Sequence, residues 1–180
     1  LASLYGKGTA RLIKMLEKNA VPGFHLLPEV YPQGRSMYAP NEVALKDIRK
    51  YLDPVFLPAM KSSVTLKHNG KTIISSYNAD DRPPEFYKAL LENYRKTEGD
   101  NFLFLPLLER PDGIAWHRWC AKFNNGFFSE KDLNTIKEHF RKYLRVTDGL
   151  YLGCGPVKSN NDRHTDMKFF RLMIKLAVEV

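Results

Sequence analysis

The feature that most constrains this chain is a set of cations at helical spacing: Lys7, Arg11, Lys14 and Lys18. On a helix of 3.6 residues per turn they share one narrow face. Leu4, Leu12, Ile13, Met15 and Leu16 are expected to turn the other way, toward the rest of the molecule. A face of this kind suits phosphate or an anionic surface, because several cations act on one neighbour at once. The balance of the whole chain points the same way, with 28 Lys and Arg against 20 Asp and Glu and a net charge of +8.

A chain of 180 residues fits one domain with a real core. Its 43% hydrophobic and 12% aromatic content are those of a folded protein. The longest wholly apolar run, Phe102 to Leu108, contains Pro106 and falls far short of the ~20 residues of a membrane-spanning helix. No secretory leader is visible. Cys120 and Cys154 sit in no Cys-x-x-Cys pair, so they read as reduced thiols of an intracellular protein, cytoplasmic or nuclear, or of one packed inside a virion.

Along the chain, residues 9–19 read as the basic helix, ended by Val21-Pro22-Gly23. The stretch 22–40 is rich in proline and has no helical period. Residues 1–40 therefore read as a basic helix and a proline-rich arm, and 41–180 as an α+β body. Phe24, Leu26, Leu27, Val30 and Tyr31 are expected to pack on the body or on a second copy. Asn41 reads as the N-cap of a helix that stops before Asp53-Pro54. Two β-rich runs, 64–68 and 71–75, flank Asn69-Gly70, which predicts a hairpin with a type I′ turn.

Asp80 or Asp81 is expected to cap a third helix, with Phe86, Leu90 and Tyr94 on one side and Gly99 at its end. Residues 102–108 and 114–123 read as a second hairpin, with a helix as the alternative for 114–123. Ser129 and Asp132 resemble a capping box ahead of an apolar stripe at Leu133, Ile136 and Phe140. Leu150–Leu152 reads as a short strand. Thr165 reads as the cap of a last helix with Phe169, Phe170, Met173, Ile174 and Ala177 inward. Helices mixed with hairpins, without a strand-helix-strand rhythm, give the α+β class: one domain of helices on antiparallel hairpins.

Chemistry is sparsely signalled. Leu150-Tyr-Leu-Gly-Cys-Gly-Pro156 resembles, over seven residues, the glycine-rich first motif of S-adenosylmethionine-dependent methyltransferases. The acidic residue of that strand is missing, and too little chain follows for the rest of such a sheet. A strand end with a tight glycine turn explains the run more simply. Trp116-His117-Arg118-Trp119-Cys120 holds a thiol and an imidazole, but no third group in the sequence orients them, so an aromatic core layer is the simpler reading. The histidines His25, His68, His117, His139 and His164 show no ligand spacing, so neither a metal nor a cofactor is expected.

The remaining signal is basic. Residues 118–145 hold seven Lys or Arg against three acids, and 158–175 hold five against two. If the last two helices pack side by side, Lys137, Arg141, Arg145, Lys168, Arg171 and Lys175 would join one surface. That surface, with Lys7, Arg11, Lys14 and Lys18, is the expected polyanion-binding site. The expectation is a non-catalytic binding or assembly protein that meets nucleic acid or an anionic membrane and self-associates through its N-terminal arm. By analogy of composition alone it resembles viral structural proteins of the matrix or nucleocapsid kind. The alternative is an enzyme, for example a transferase, with a site assembled from Trp116–Cys120 and the Gly153–His164 loop.

Overall fold

A single strand, β3 (Lys71–Ser76), has every other strand of the sheet hydrogen-bonded to it. The computed structural model describes residues 2–19, 22–31, 39–152 and 163–180, and of 2–7 and 163–166 it describes the backbone only. β4 (Phe102–Pro106) lies parallel along one edge of β3, in register from Thr72↔Phe102 to Ser76↔Pro106. The other edge is shared. β2 (Lys67–His68) pairs antiparallel with its first two residues, and β1 (Glu29–Val30) pairs parallel with its last two.

The Asn69-Gly70 turn joins β2 to β3 as expected, with φ of 50° and 79° at its two residues. Both angles are the positive ones a type I′ turn needs. The second hairpin does not form. Residue 102 onward is parallel to β3, and α4 (Trp116–Asn124) takes the place of a returning strand. The sheet is therefore mixed rather than built of antiparallel hairpins, while the α+β class holds. The reason lies in the faces of 116–124. Trp119 and Cys120 are buried and His117 and Arg118 are exposed, which is a helical and not an alternating pattern.

Five further expectations are corrected. α2 (Asn41–Lys61) does not stop at Asp53 but runs through Pro54 and Pro58. Its buried face, Ala44, Ile48, Leu52, Val55, Phe56 and Ala59, continues across both prolines. Phe56 stacks on Tyr94 and meets Phe102 edge-on, so packing offsets the lost backbone bonds. Asn41 is the first residue of that helix rather than its cap, and its side chain accepts a bond from Arg82 Nη1 at 3.2 Å. Asp80 and Asp81 belong to a 3₁₀ turn, Ala79–Asp81, and do not cap α3 (Pro84–Glu98), which starts after Pro83. Thr165 lies inside α6 (Arg163–Val178), and Leu150–Leu152 makes only a single bridge, Tyr151 to Leu107.

α1 (Ala2–Lys18) packs along α2, and Glu17 accepts a bond from Ser62 Oγ at 2.7 Å. Within the stretch expected to be an arm, Ser75 and Tyr77 donate their N–H groups to the carbonyls of Pro28 and Val30, so 28–30 is part of the sheet. α5 (Glu130–Leu144) forms as predicted, with the capping box in place and Ile136 and Phe140 fully buried. Leu133 is half-buried beside them. Among the described residues no helix is long and apolar enough to cross a membrane.

Candidate functional site

The outer side of α1 is built from the residues the sequence marks. Arg11, Lys14 and Lys18 are exposed, and no ion pair to any of them occurs among the described residues. The Lys7 side chain lies outside the described residues. The carboxylate of Glu17, itself exposed, accepts from Ser62 Oγ rather than pairing with a cation of the stripe. The far side of the helix differs from expectation. Ile13 is buried, but Leu12 and Met15 are 42% and 57% exposed. Steps of about 100° per residue explain Met15, which they set only about 70° from the centre of the cationic stripe, but not Leu12, about 130° away. By the same count Leu4 belongs beside Arg11 rather than opposite it; its side chain is outside the described residues.

The two C-terminal helices touch, but not in the way that merges their charges. Phe128 meets the ring of Phe169 at 6.0 Å, and Lys137 reaches Glu179 at 2.7 Å. These contacts fall at matching intervals, so α6 runs beside α5 in the same direction. On that register Arg145 and Lys168 lie roughly 25 Å apart along the axis, at about 1.5 Å per residue. Lys137 and Lys175 do converge, with Glu179 between them. Arg141 is engaged by Glu138, while Arg145, Lys168 and Arg171 are exposed. The structure thus keeps the α1 stripe as one surface and distributes the others.

The thiol-imidazole run resolves into core. Trp116 packs on Phe140 and Phe169, and Trp119 on Phe128. Their indole N–H groups donate to the carbonyls of Leu108 and Pro111. Cys120 is buried while His117 faces solvent, so the thiol is not presented to a substrate. Residues 153–162 of the Gly153–His164 loop, Cys154 among them, lie outside the described residues, as do the side chains of Arg163 and His164. Among the described residues no cluster of His, Cys, Asp or Glu is arranged to hold a metal ion.

Sequence reasoning passed over an open groove of about 1090 Å³. Its floor is formed by the two turns that leave the carboxyl ends of the parallel strands β3 and β4, Ala79–Asp81 and Pro111–Gly113. One wall is α5. Ligands in open sheets bind at this end of parallel strands, because the diverging chains leave a crevice there. At the bottom the Asp80 side chain is 1% exposed and the His139 Nε2 lies 3.5 Å from its Oδ2. The only sequence sign was two adjacent aspartates and one histidine far apart in the chain, which periodicity does not connect.

No known protein family, curated protein or solved structure shows significant similarity to this chain.

Proposed function

We propose that this protein is a non-catalytic binding or assembly protein whose α1 face meets a phosphate-rich surface. One observation carries the reading: Arg11, Lys14 and Lys18 stand exposed without ion pairs among the described residues, and the nearby Glu17 is engaged by Ser62 rather than by any of them. Three neighbouring exposed cations attract a phosphate-rich surface and, on contact, release the cations condensed on it, which makes binding fall with salt. Met15, exposed at the margin of the same stripe, and Leu12, exposed farther round the helix, favour an anionic lipid surface over nucleic acid. An apolar side chain gains free energy by entering the headgroup layer, whereas a duplex backbone gives it nothing to enter.

Self-association belongs to the same proposal. Phe24 and Tyr31, 49% and 44% exposed in the proline-rich stretch, are the apolar side chains a second copy would cover. An intracellular or intravirion setting, and a matrix- or nucleocapsid-like part in assembly, fit this reading.

The experiment compares binding to phosphatidylserine vesicles and to a single-stranded oligonucleotide at roughly 50 and 200 mM salt. Wild type is expected to weaken steeply with salt. A variant carrying Arg11→Gln, Lys14→Gln and Lys18→Gln should lose about one unit of log-log salt slope for each phosphate contact removed. Binding that ignores salt, or a triple variant that binds like wild type, sinks the proposal. Stronger retention on the oligonucleotide than on vesicles would move it to nucleic acid.

A further inference from the structure

The groove at the ends of β3 and β4 differs in sign from the protein around it. Its deepest group is the Asp80 carboxylate, whose Oδ2 accepts the backbone N–H of Arg110 and whose Oδ1 has no hydrogen-bond partner. His139 Nε2 beside it, 3.5 Å from Oδ2 and so within ion-pair range, is also buried and makes no hydrogen bond. A buried carboxylate short of partners is costly unless something supplies the missing donor and counter-charge. The one guanidinium at the floor, Arg110, is directed to Asp81 at 2.8 Å. Neighbouring carboxyls register the same excess. Asp81 and Glu109 both titrate above their ordinary range, through burial first. The Asp80 charge adds to the rise in each, and Arg110 opposes it, at Asp81 more strongly than Asp80 raises it.

The floor is also conformationally unusual. Asn78 and Asp112, one in or beside each turn, hold φ of 48° and 56°, a region non-glycine residues seldom occupy. Such strain is retained where surrounding structure over-determines it, and it gathers at ligand sites. The cations of the groove are at its mouth. Lys131 and Lys142 sit on α5 some 16 Å apart at about 1.5 Å per residue, Lys142 one turn beyond His139, and both are exposed where solvent screens their charge. The exposed lining also carries Asp112 and Glu130.

We infer that this groove binds a cationic N–H donor, an alkylammonium or guanidinium group, with Asp80 as the buried acceptor and Asp112 and Glu130 at the entrance. Such a group brings both things the floor lacks, a donor for Oδ1 and a positive charge in a region of low dielectric. A metal ion fits less well, since the described carboxylates and imidazoles do not converge as ligands. The cation has two possible sources, a free amine or a basic side chain of a protein. The basic α1 sequence of a second copy represents the second kind. The inference stands independently of lipid or nucleic-acid binding by α1.

The test follows the His139 imidazole by NMR, with affinities from calorimetry, in the full chain. The probes are agmatine, a blocked peptide of residues 7–18, and n-butanol as a neutral control. Agmatine or the peptide should shift the His139 signals and bind with a Kd of about 1 mM or tighter, and n-butanol should do neither. Binding of agmatine alone assigns a free amine; binding of the peptide alone assigns a protein side chain. Asp80→Asn should weaken either by about tenfold or more. If that variant folds poorly, the surface variant Asp112→Asn/Glu130→Gln decides, with an expected loss of about threefold. The inference is overturned if neither cation binds, if n-butanol acts as they do, or if the folded variants bind like wild type.

Discussion

The outer face of α1 and the groove at the strand ends are opposites in sign and in construction. The first is a row of exposed cations on one helix, each placed by its neighbours three and four residues away. The second is an acidic floor made by Asp80, Asp81 and Arg110 from two turns and by His139 from α5. Its strongest charge is almost wholly buried, where a field is felt more and screened less. The first can lose any one residue and keep its character. The second depends on three segments holding their positions, so its chemistry is tied to the stability of the fold.

That contrast predicts unequal costs. The largest belongs to Phe140, fully buried on α5 directly after His139 and packed against Trp116. Phe140→Ala should lower unfolding free energy in urea by about 3–5 kcal/mol and remove cation binding in the groove. A loss below about 1 kcal/mol would show that the groove wall is not held by the core, and the contrast would fail.

A middle effect is expected at the start of the same wall. Asp132 accepts bonds from the Ser129 N–H and hydroxyl, and its other oxygen accepts from Lys122 Nζ at 2.6 Å. Lys122 first, then the Ser129 bonds, bring its carboxyl down to about 2. Asp132→Ala should cost about 1 kcal/mol, as the loss of a cap does. The sign of its pH dependence follows. The folded-state value lies below the ordinary 3.8, so this stabilisation is complete above about pH 4 and disappears as pH falls toward about 2. Urea titrations of wild type and variant should converge over that interval; parallel curves would contradict the assignment.

The smallest effect belongs to α1. Met15→Lys replaces a side chain that is 57% exposed, so stability should change by no more than about 0.5 kcal/mol. The added cation should steepen the salt dependence of oligonucleotide binding, while vesicle binding should gain charge and lose an apolar contact. A cost above about 1 kcal/mol would mean that α1 is packed more tightly than its exposure indicates.

These regions also differ in how far the sequence reveals them. The cationic stripe, the Asn69-Gly70 turn and the Ser129–Asp132 box are legible because each is set within a few residues, by helical period, by positive φ or by a reciprocal side-chain bond. Local rules failed where burial outweighed them. Pro54 stops a helix in isolation but not when Phe56 is stacked on Tyr94. Residues 116–123 alternate too poorly to decide between strand and helix, and only the burial of Trp119 and Cys120 resolves them. The pairing of β1 and β4 with β3 was likewise invisible, since parallel partners are joined through long connections whose register no turn fixes.

The sequence by itself therefore determined the α+β class, the surplus of positive charge, the face on which α1 displays it, and the helix from Glu130 to Leu144 with its buried Ile136 and Phe140. Tertiary structure alone decided the mixed sheet, the separation of Arg145 from Lys168, and the meeting of Asp80 with His139. The physical reason is range. Backbone preference and side-chain period act over a turn or two of chain, whereas a buried charge acquires its meaning from whichever distant groups packing brings within a few ångströms.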